Sequence, residues 1–285
     1  MKRKEIIEQI NADILQALEQ GVVPWRSPYK PQQSSNGHVY RGINRMILNL
    51  ATHIKGYESP VWWTFKAARF RGATVRKGEK AMRIVYYGQQ KSKQLDDDGN
   101  PTWFPVFKYF NVFNQSQLDL PDTWEHEEVK TSDRADKVVR QYFEREDIAL
   151  THNSRVAYYS VSNDYINVPV TTALSEPDAY YSALFHEMGH STGHKSRLNR
   201  ETLKSMGDQH LYSQEELVAE MCSAYLCGHT ETSLNIEQSA AYIDGWMSRL
   251  KEDPMCLHKA CDHAEKAYQY VLKGEHDLTK ENNDG

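Results

Sequence analysis

Nowhere in the 285-residue chain is there an apolar run of the roughly 18 residues that crossing a bilayer requires, which excludes a helical membrane protein. Cysteine is scarce: only Cys222, Cys227, Cys256 and Cys261 occur, as two pairs spaced by five. That spacing matches neither CxxC metal or redox motifs nor a secreted disulfide framework, so reduced and mostly buried thiols are the expectation. No internal repeat is present, and no low-complexity tract beyond the tail LTKENNDG. The opening MKRKEIIEQINADILQALEQ alternates charged with apolar residues as a surface helix does, unlike a signal peptide, and a cytoplasmic protein is expected. With 39% hydrophobic and 26% charged residues, the composition is that of a folded globular protein.

Acidic residues are nearly missing from one region. Between Arg26 and Lys93 there are 14 Lys and Arg against Glu58 and Glu79 alone. Residues 1–95 carry 17 basic and 6 acidic side chains, net +11, whereas the remainder carries 17 and 33, net -16. The overall charge of -5 hides this segregation. Mixed charge would suffice for solubility, so a basic segment of this kind implies a polyanionic partner.

Hydrophobic periodicity predicts helices over Lys2–Gln20, Asn44–His53, Thr64–Arg71 and Asp133–Glu146, and a run of helices from Asp178 onward. Ala81–Gln89 and Phe104–Phe113, separated by the polar run KSKQLDDDGNPT, predict a hairpin, and Val156–Val168 two short strands. Length and charge together predict an α+β chain of two domains: a basic α+β domain over 1–120, a linker over 121–131, and a mainly helical domain with a small sheet over 132–285. Asp164–Pro169 reads as an edge strand, because proline ends it. Such an edge can hold an extended peptide, or be merely structural.

Residues 186–190 spell HEMGH within a segment of good helix formers. Four residues make just over one helical turn, so His186 and His190 project from one face and can present two imidazole nitrogens to a single cation. Glu187, offset around the helix, is the candidate catalytic general base. By itself the pattern also fits a surface helix that happens to carry two histidines. A second helical segment, SQEELVAEMCSAYL, argues against that, because Glu216 and Glu220 share a face one turn apart. Glu216 is the expected third ligand, with Glu220 accepting a hydrogen bond from the free ring nitrogen of a ligand histidine; Glu215 is the competing choice for the ligand. His194 lies only four residues beyond His190, too close for a three-histidine site, and reads as a structural histidine. Zn2+ is the default ion for such a donor set, with another divalent metal such as Mn2+ possible. Tyr165, Tyr212 and Tyr225 are candidate oxyanion stabilisers.

Aromatic residues interleave the basic region: Trp25, Tyr29, Tyr40, Tyr57, Trp62, Trp63, Phe65, Tyr86 and Tyr87. Cations following phosphates and rings stacking on unpaired bases make a surface for single-stranded nucleic acid without strong sequence preference. The candidate contacts are Trp25, Arg41, Asn44, Arg45, Trp62, Trp63, Lys66, Arg69, Arg76, Lys77 and Lys80. The competing interpretation is that the rings form a small domain's core.

Two blocks resemble one family. PWRSPY, YRGINRMILNL, GYESPVWWTF and GATVRKGEKAMRIVYY resemble the N-terminal domain of ArdC-type antirestriction proteins, and HEMGHSTGHKSRLNR with EELVAEMCSAYLCG resembles their zincin-like metallopeptidase domain. The resemblance implies a plasmid protein that binds single-stranded DNA and protects incoming conjugative DNA, with host restriction-modification proteins as further partners and no membrane. It places the metal ligands on His186, His190 and Glu216 and the catalytic glutamate on Glu187. Rival readings are a non-catalytic DNA-binding shield whose metal is structural, and a general cytosolic metallopeptidase.

Overall fold

Ile6, Ile10, Ile14, Ala17 and Leu18 recur every three or four residues and form the buried face of α1 (Arg3–Glu19) in the computed structural model. The structure describes residues 3–26, 31–95, 101–121, 134–169, 177–204, 209–234 and 240–274. After α1, a single 3-10 turn, Pro24–Arg26, carries Trp25 inward. The short strand β1 (Gln33–Ser34) precedes α2 (Gly42–Lys55), which stops at Gly56, where φ is 63° and the backbone N–H caps the last turn. Next come β2 (Val61–Thr64) and α3 (Phe65–Phe70), whose first turn is capped by the Thr64 hydroxyl accepting from the Ala67 N–H at 3.1 Å.

The basic half ends in β3 (Thr74–Val75), the hairpin strands β4 (Met82–Leu95) and β5 (Pro101–Asn114), and β6 (Leu118–Asp119). Strands β1-β2-β5-β4 form one sheet, and β3 pairs with β6. The hairpin is longer than the sequence predicted, pairing Met82 with Val112 and continuing to Leu95 with Pro101. Apart from Pro121, the expected linker lies outside the described residues.

The acidic half starts with α4 (Arg134–Glu146) and the strands β7 (Ala149–Thr151), β8 (Tyr158–Ser160) and β9 (Tyr165–Asn167). Helices α5 (Pro177–Ser191), α6 (Glu201–Lys204), α7 (Gln209–Thr230), α8 (Ala240–Glu252) and α9 (Cys256–Lys273) follow. The sheet order is β7-β9-β8. The segment expected to be an edge is therefore the central strand: β9 runs parallel to β7 on one side and antiparallel to β8 on the other. Proline ends it without exposing it, and β7 and β8 are the two edges.

The two halves share a core. One continuous cluster of buried side chains includes Ile6, Ile14 and Trp25 from the basic half and Phe185, Met221 and Val271 from the acidic half. Smaller clusters around Trp62 and around Trp63 belong to the basic half alone. Among the described residues no helix is long and apolar enough to cross a membrane. The four cysteines are free and buried, as their sequence context implied.

Candidate metal centre and nucleic-acid face

The site stands where α5 crosses close to α7. Gly189, inside the HEMGH motif, permits that approach: a Cβ on it would lie 3.0 Å from the Cα of Ala219 and 3.3 Å from its carbonyl oxygen. This backbone-to-backbone contact lets a side chain from α7 reach the histidine face of α5. His186 Nε2 and His190 Nε2 are 3.1 Å apart. Glu216 enters between them, its Oε2 3.4 Å from His186 Nε2 and its Oε1 3.5 Å from His190 Nε2. One ligand atom from each of the three lies within 4.8 Å of the others. Two imidazoles and a carboxylate at such separations can converge on one divalent ion.

Electrostatics ties the three together. Burial disfavours the charged His186 ring, but the hydrogen bond to Glu216 and the carboxylates of Glu187, Glu216 and Glu220 outweigh it, pushing the pKa up to about 9. Burial likewise opposes the Glu216 charge, yet the His186 hydrogen bond and both imidazoles hold its carboxyl at about 2. The cluster thus has a negative environment made for a cation.

Behind the ligands stand two further carboxylates, Glu215 and Glu220. Glu215, weighed as a rival ligand, faces away from the ligand atoms and sits 3.3 Å from His190 Nδ1. Its other contacts are a charge-assisted pair with Arg200, whose Nε donates at 3.0 Å, and the Thr202 hydroxyl. Although burial disfavours its charge, Arg200 and His190 keep the Glu215 carboxyl at about 2. Arg200 also donates to the Gly189 carbonyl at 2.8 Å and to Thr192 Oγ1 at 2.6 Å, so it clamps the end of α5. Glu220, expected to support a ligand histidine, acts on His186 through its charge and accepts from the Trp25 indole at 2.9 Å. Arg200, Thr202 and Trp25 lie outside HEMGH and SQEELVAEMCSAYL, and nothing in the sequence assigns them to the metal site, although Arg200 ends the block HEMGHSTGHKSRLNR and Trp25 stands in PWRSPY.

A cavity of about 290 Å³ opens onto the three ligand groups and is lined by Glu187, by Tyr212 and by Tyr158 and Tyr159 of the edge strand β8. The strand is held there by Arg197, which donates to the Ser191 carbonyl at 2.6 Å, to Tyr159 Oη at 3.1 Å and to Asp164. Of the candidate oxyanion tyrosines, Tyr212 lines the cavity. Tyr165 shares a 2.7 Å hydrogen bond with Tyr158, and Tyr225 is buried in the core against Arg45. His194 stands apart from the ligand cluster, with its Nδ1 2.7 Å from Ser196 Oγ and 3.6 Å from Asp164.

The expected nucleic-acid contacts divide sharply. Trp25, Trp62 and Trp63 are at most 1% exposed and cannot stack on bases. Their indoles donate to Glu220, Gln32 and Gln115 respectively. Arg45 is also buried, 3.3 Å from Glu265 and enclosed by the rings of Tyr225 and Tyr268. Asn44 is occupied in pairing with the backbone of Val85, donating at 2.7 Å and accepting at 2.8 Å. Trp25, Trp62, Trp63 and Arg45 are corrected: they build the interior. Asn44 is half-buried. Arg41, Lys66, Arg69, Arg76, Lys77 and Lys80 are exposed. The rings that do reach solvent include Phe65 and Tyr86, already noted in the basic region, together with Phe70, Tyr109 and Phe110.

A basic α+β half joined to a helix pair that offers two histidines and a glutamate defines a zincin-like protein with an appended domain. Family models match accordingly: residues 4–113 match the N-terminal domain of the anti-restriction factor ArdC, and residues 136–263 match a zincin-like metallopeptidase. The chain is 33% identical to the crystallised antirestriction protein ArdC of plasmid R388. It covers 95% of this chain and 98% of that one in the metal-free structure, with a TM-score of 0.80. For the Mn(II)-bound structure the TM-score is 0.78, with 94% and 97% covered. The chain belongs to the ArdC family of antirestriction proteins. It is also 31% identical over 300 residues to a DNA primase TraC of Escherichia coli, covering 96% of this chain, and 26% identical to protein y4eC of Sinorhizobium fredii, covering 97% of this chain and 94% of that one. The chain spans only 27% of that TraC protein's length.

Proposed function

We propose that this chain binds single-stranded DNA through its basic half and protects incoming conjugative DNA by means of a metal-dependent hydrolytic site acting on host restriction proteins. The observation that carries the reading is the convergence of His186, His190 and Glu216 at the mouth of a cavity that also contains Glu187. The donor set fits a divalent ion, Zn2+ or Mn2+, and a carboxylate on His190 Nδ1 matches the outer support such ligands need. A bound ion would supply Lewis acidity toward the carbonyl of the scissile bond.

The protein's own groups do the rest. Glu187 is buried beside the ligands and accepts a proton from the attacking water, then returns it to the leaving amine. Tyr212 reaches the cavity as a hydrogen-bond donor; burial and the Glu216 charge push its pKa up to about 12, so it keeps its proton at neutral pH. The edge strand β8 aligns an extended peptide by main-chain pairing. On the basic half, Lys66 and Arg69 neutralise phosphates while Phe65 and Phe70, all on α3, offer faces to unpaired bases.

The test is Glu187→Ala in a conjugation assay with a restricting recipient. Protection is expected to collapse while metal content and DNA affinity stay near wild type. Full protection by this variant would overturn hydrolysis and leave a DNA-binding shield.

A further inference from the structure

Trp25 has a position that neither a DNA contact nor generic core packing explains. It belongs to the 3-10 turn Pro24–Arg26 of the basic half, yet its ring lies edge-on to Trp246 of α8, with centroids 6.2 Å apart, and its Nε1–H ends on a carboxylate of α7. That carboxylate is Glu220, one turn after the ligand Glu216 on the same helix face. Both partners are buried, Trp25 to 1% and Glu220 to 4% exposure, and the hydrogen bond spans 195 residues of sequence. An apolar residue would fill the volume as well. An indole N–H that ends on a buried carboxylate fixes the direction in which that carboxylate points, because such a group is costly wherever its partners are incomplete.

From this juxtaposition we infer that Trp25 is a positioning residue for the metal centre: it fixes Glu220, and through Glu220 the negative field and the geometry around His186, so that the affinity of the centre for its ion depends on a residue of the basic half. The inference rests on the metal-site reading above. Outer groups that orient ligands change metal affinity about 10–100-fold when lost, and Trp25 is one contact further out, so its removal should weaken binding by about 10-fold.

Trp25→Phe keeps an aromatic ring and deletes the donor. Zn2+ affinity is measured by competition with a chromophoric chelator on the full chain, and the visible d–d spectrum is recorded after Co2+ substitution. The expected result is a Zn2+ dissociation constant about 10-fold higher and an altered Co2+ band, since loss of packing alone would not change the ligand field. Trp62→Phe is the control. It loses an equally buried indole bond, to Gln32, in a separate cluster, and should keep both the wild-type affinity and the wild-type spectrum. Glu220→Gln reads the same path from the other end: it should weaken Zn2+ binding, and Trp25→Phe should add little in that background. Wild-type affinity and spectrum in Trp25→Phe overturn the inference. Should Trp25→Phe fail to fold, wild-type Zn2+ affinity in Glu220→Gln overturns it equally. If the unaltered chain takes up neither Zn2+ nor Co2+, the metal-site reading itself falls.

Discussion

Gly189→Ala tests the assembly of the site at its narrowest point. The added methyl would stand 3.0 Å from Ala219 Cα, 3.3 Å from Ala219 O and 3.3 Å from Cys222 Cβ. Carbon atoms rest about 3.5–4.0 Å apart, so α7 must retreat by about 0.5–1 Å. Overpacking of this size costs about 1–3 kcal/mol. Alanine returns about 1 kcal/mol of helix propensity, leaving a net loss of about 0–2 kcal/mol. The fold should survive. Glu216 lies three residues before Ala219, on the helix that has been pushed away, whereas ligand distances tolerate only about 0.2 Å of error. The variant should therefore melt within a few degrees of wild type without metal but bind Zn2+ at least about 10-fold more weakly, on the scale of losing ligand support. Chelator competition gives the affinity, and thermal melts with and without Zn2+ give the stability and its linkage to binding. An unchanged Zn2+ affinity would refute the claim that close helix approach delivers the third ligand.

Arg45→Ala should destabilise the chain by about 3–5 kcal/mol in denaturant unfolding, because it leaves Glu265 buried without its cation. The double substitution Lys66→Ala with Arg69→Ala should weaken single-stranded DNA binding and flatten its salt dependence by about 0.7 log units per lost phosphate contact, measured by fluorescence anisotropy across a salt series. Phe70→Ala, at a ring that is 90% exposed, should cost about 1–3 kcal/mol of DNA affinity with little change in melting temperature. Burial pushes the Cys222 and Cys227 thiols up to about 12, and Cys256 and Cys261 are also buried. A thiol reagent should accordingly find almost nothing in the native chain at neutral pH and four groups after denaturation.

The parts of the site that could be read from sequence were those whose geometry is local. His186 and His190 are one turn apart in any helix, so HEMGH specifies its own face, and Glu216 with Glu220 does the same on the next helix. The role of Glu215 could not be read from its number: which of two neighbouring carboxylates joins the histidines depends on how α7 is rotated against α5, where Gly189 and Ala219 come into close contact. Tryptophans in a basic stretch look alike whether they face bases or a core. What separates them are acceptors distant in sequence, Gln32 for Trp62, Gln115 for Trp63 and Glu220 for Trp25. Proline after β9 suggests an edge, and its central place is hidden in the sequence because β7 pairs with it in parallel and therefore follows no hairpin pattern. The hairpin β4–β5, held by consecutive alternating residues, was visible from the outset.

The interior described by Ile6, Trp25, Phe185 and Val271 belongs to neither half separately. Two family models, each matching one stretch of chain, therefore meet over one shared core. Scission within 121–131 would strip α1 and α2 from the helices they cover, and each fragment would present a greasy wound to solvent. Calorimetry should find one endotherm rather than two. A longer polypeptide that holds such a stretch, as the primase relative does over 27% of its length, would have to carry it intact, because inheriting half of it means inheriting half a core.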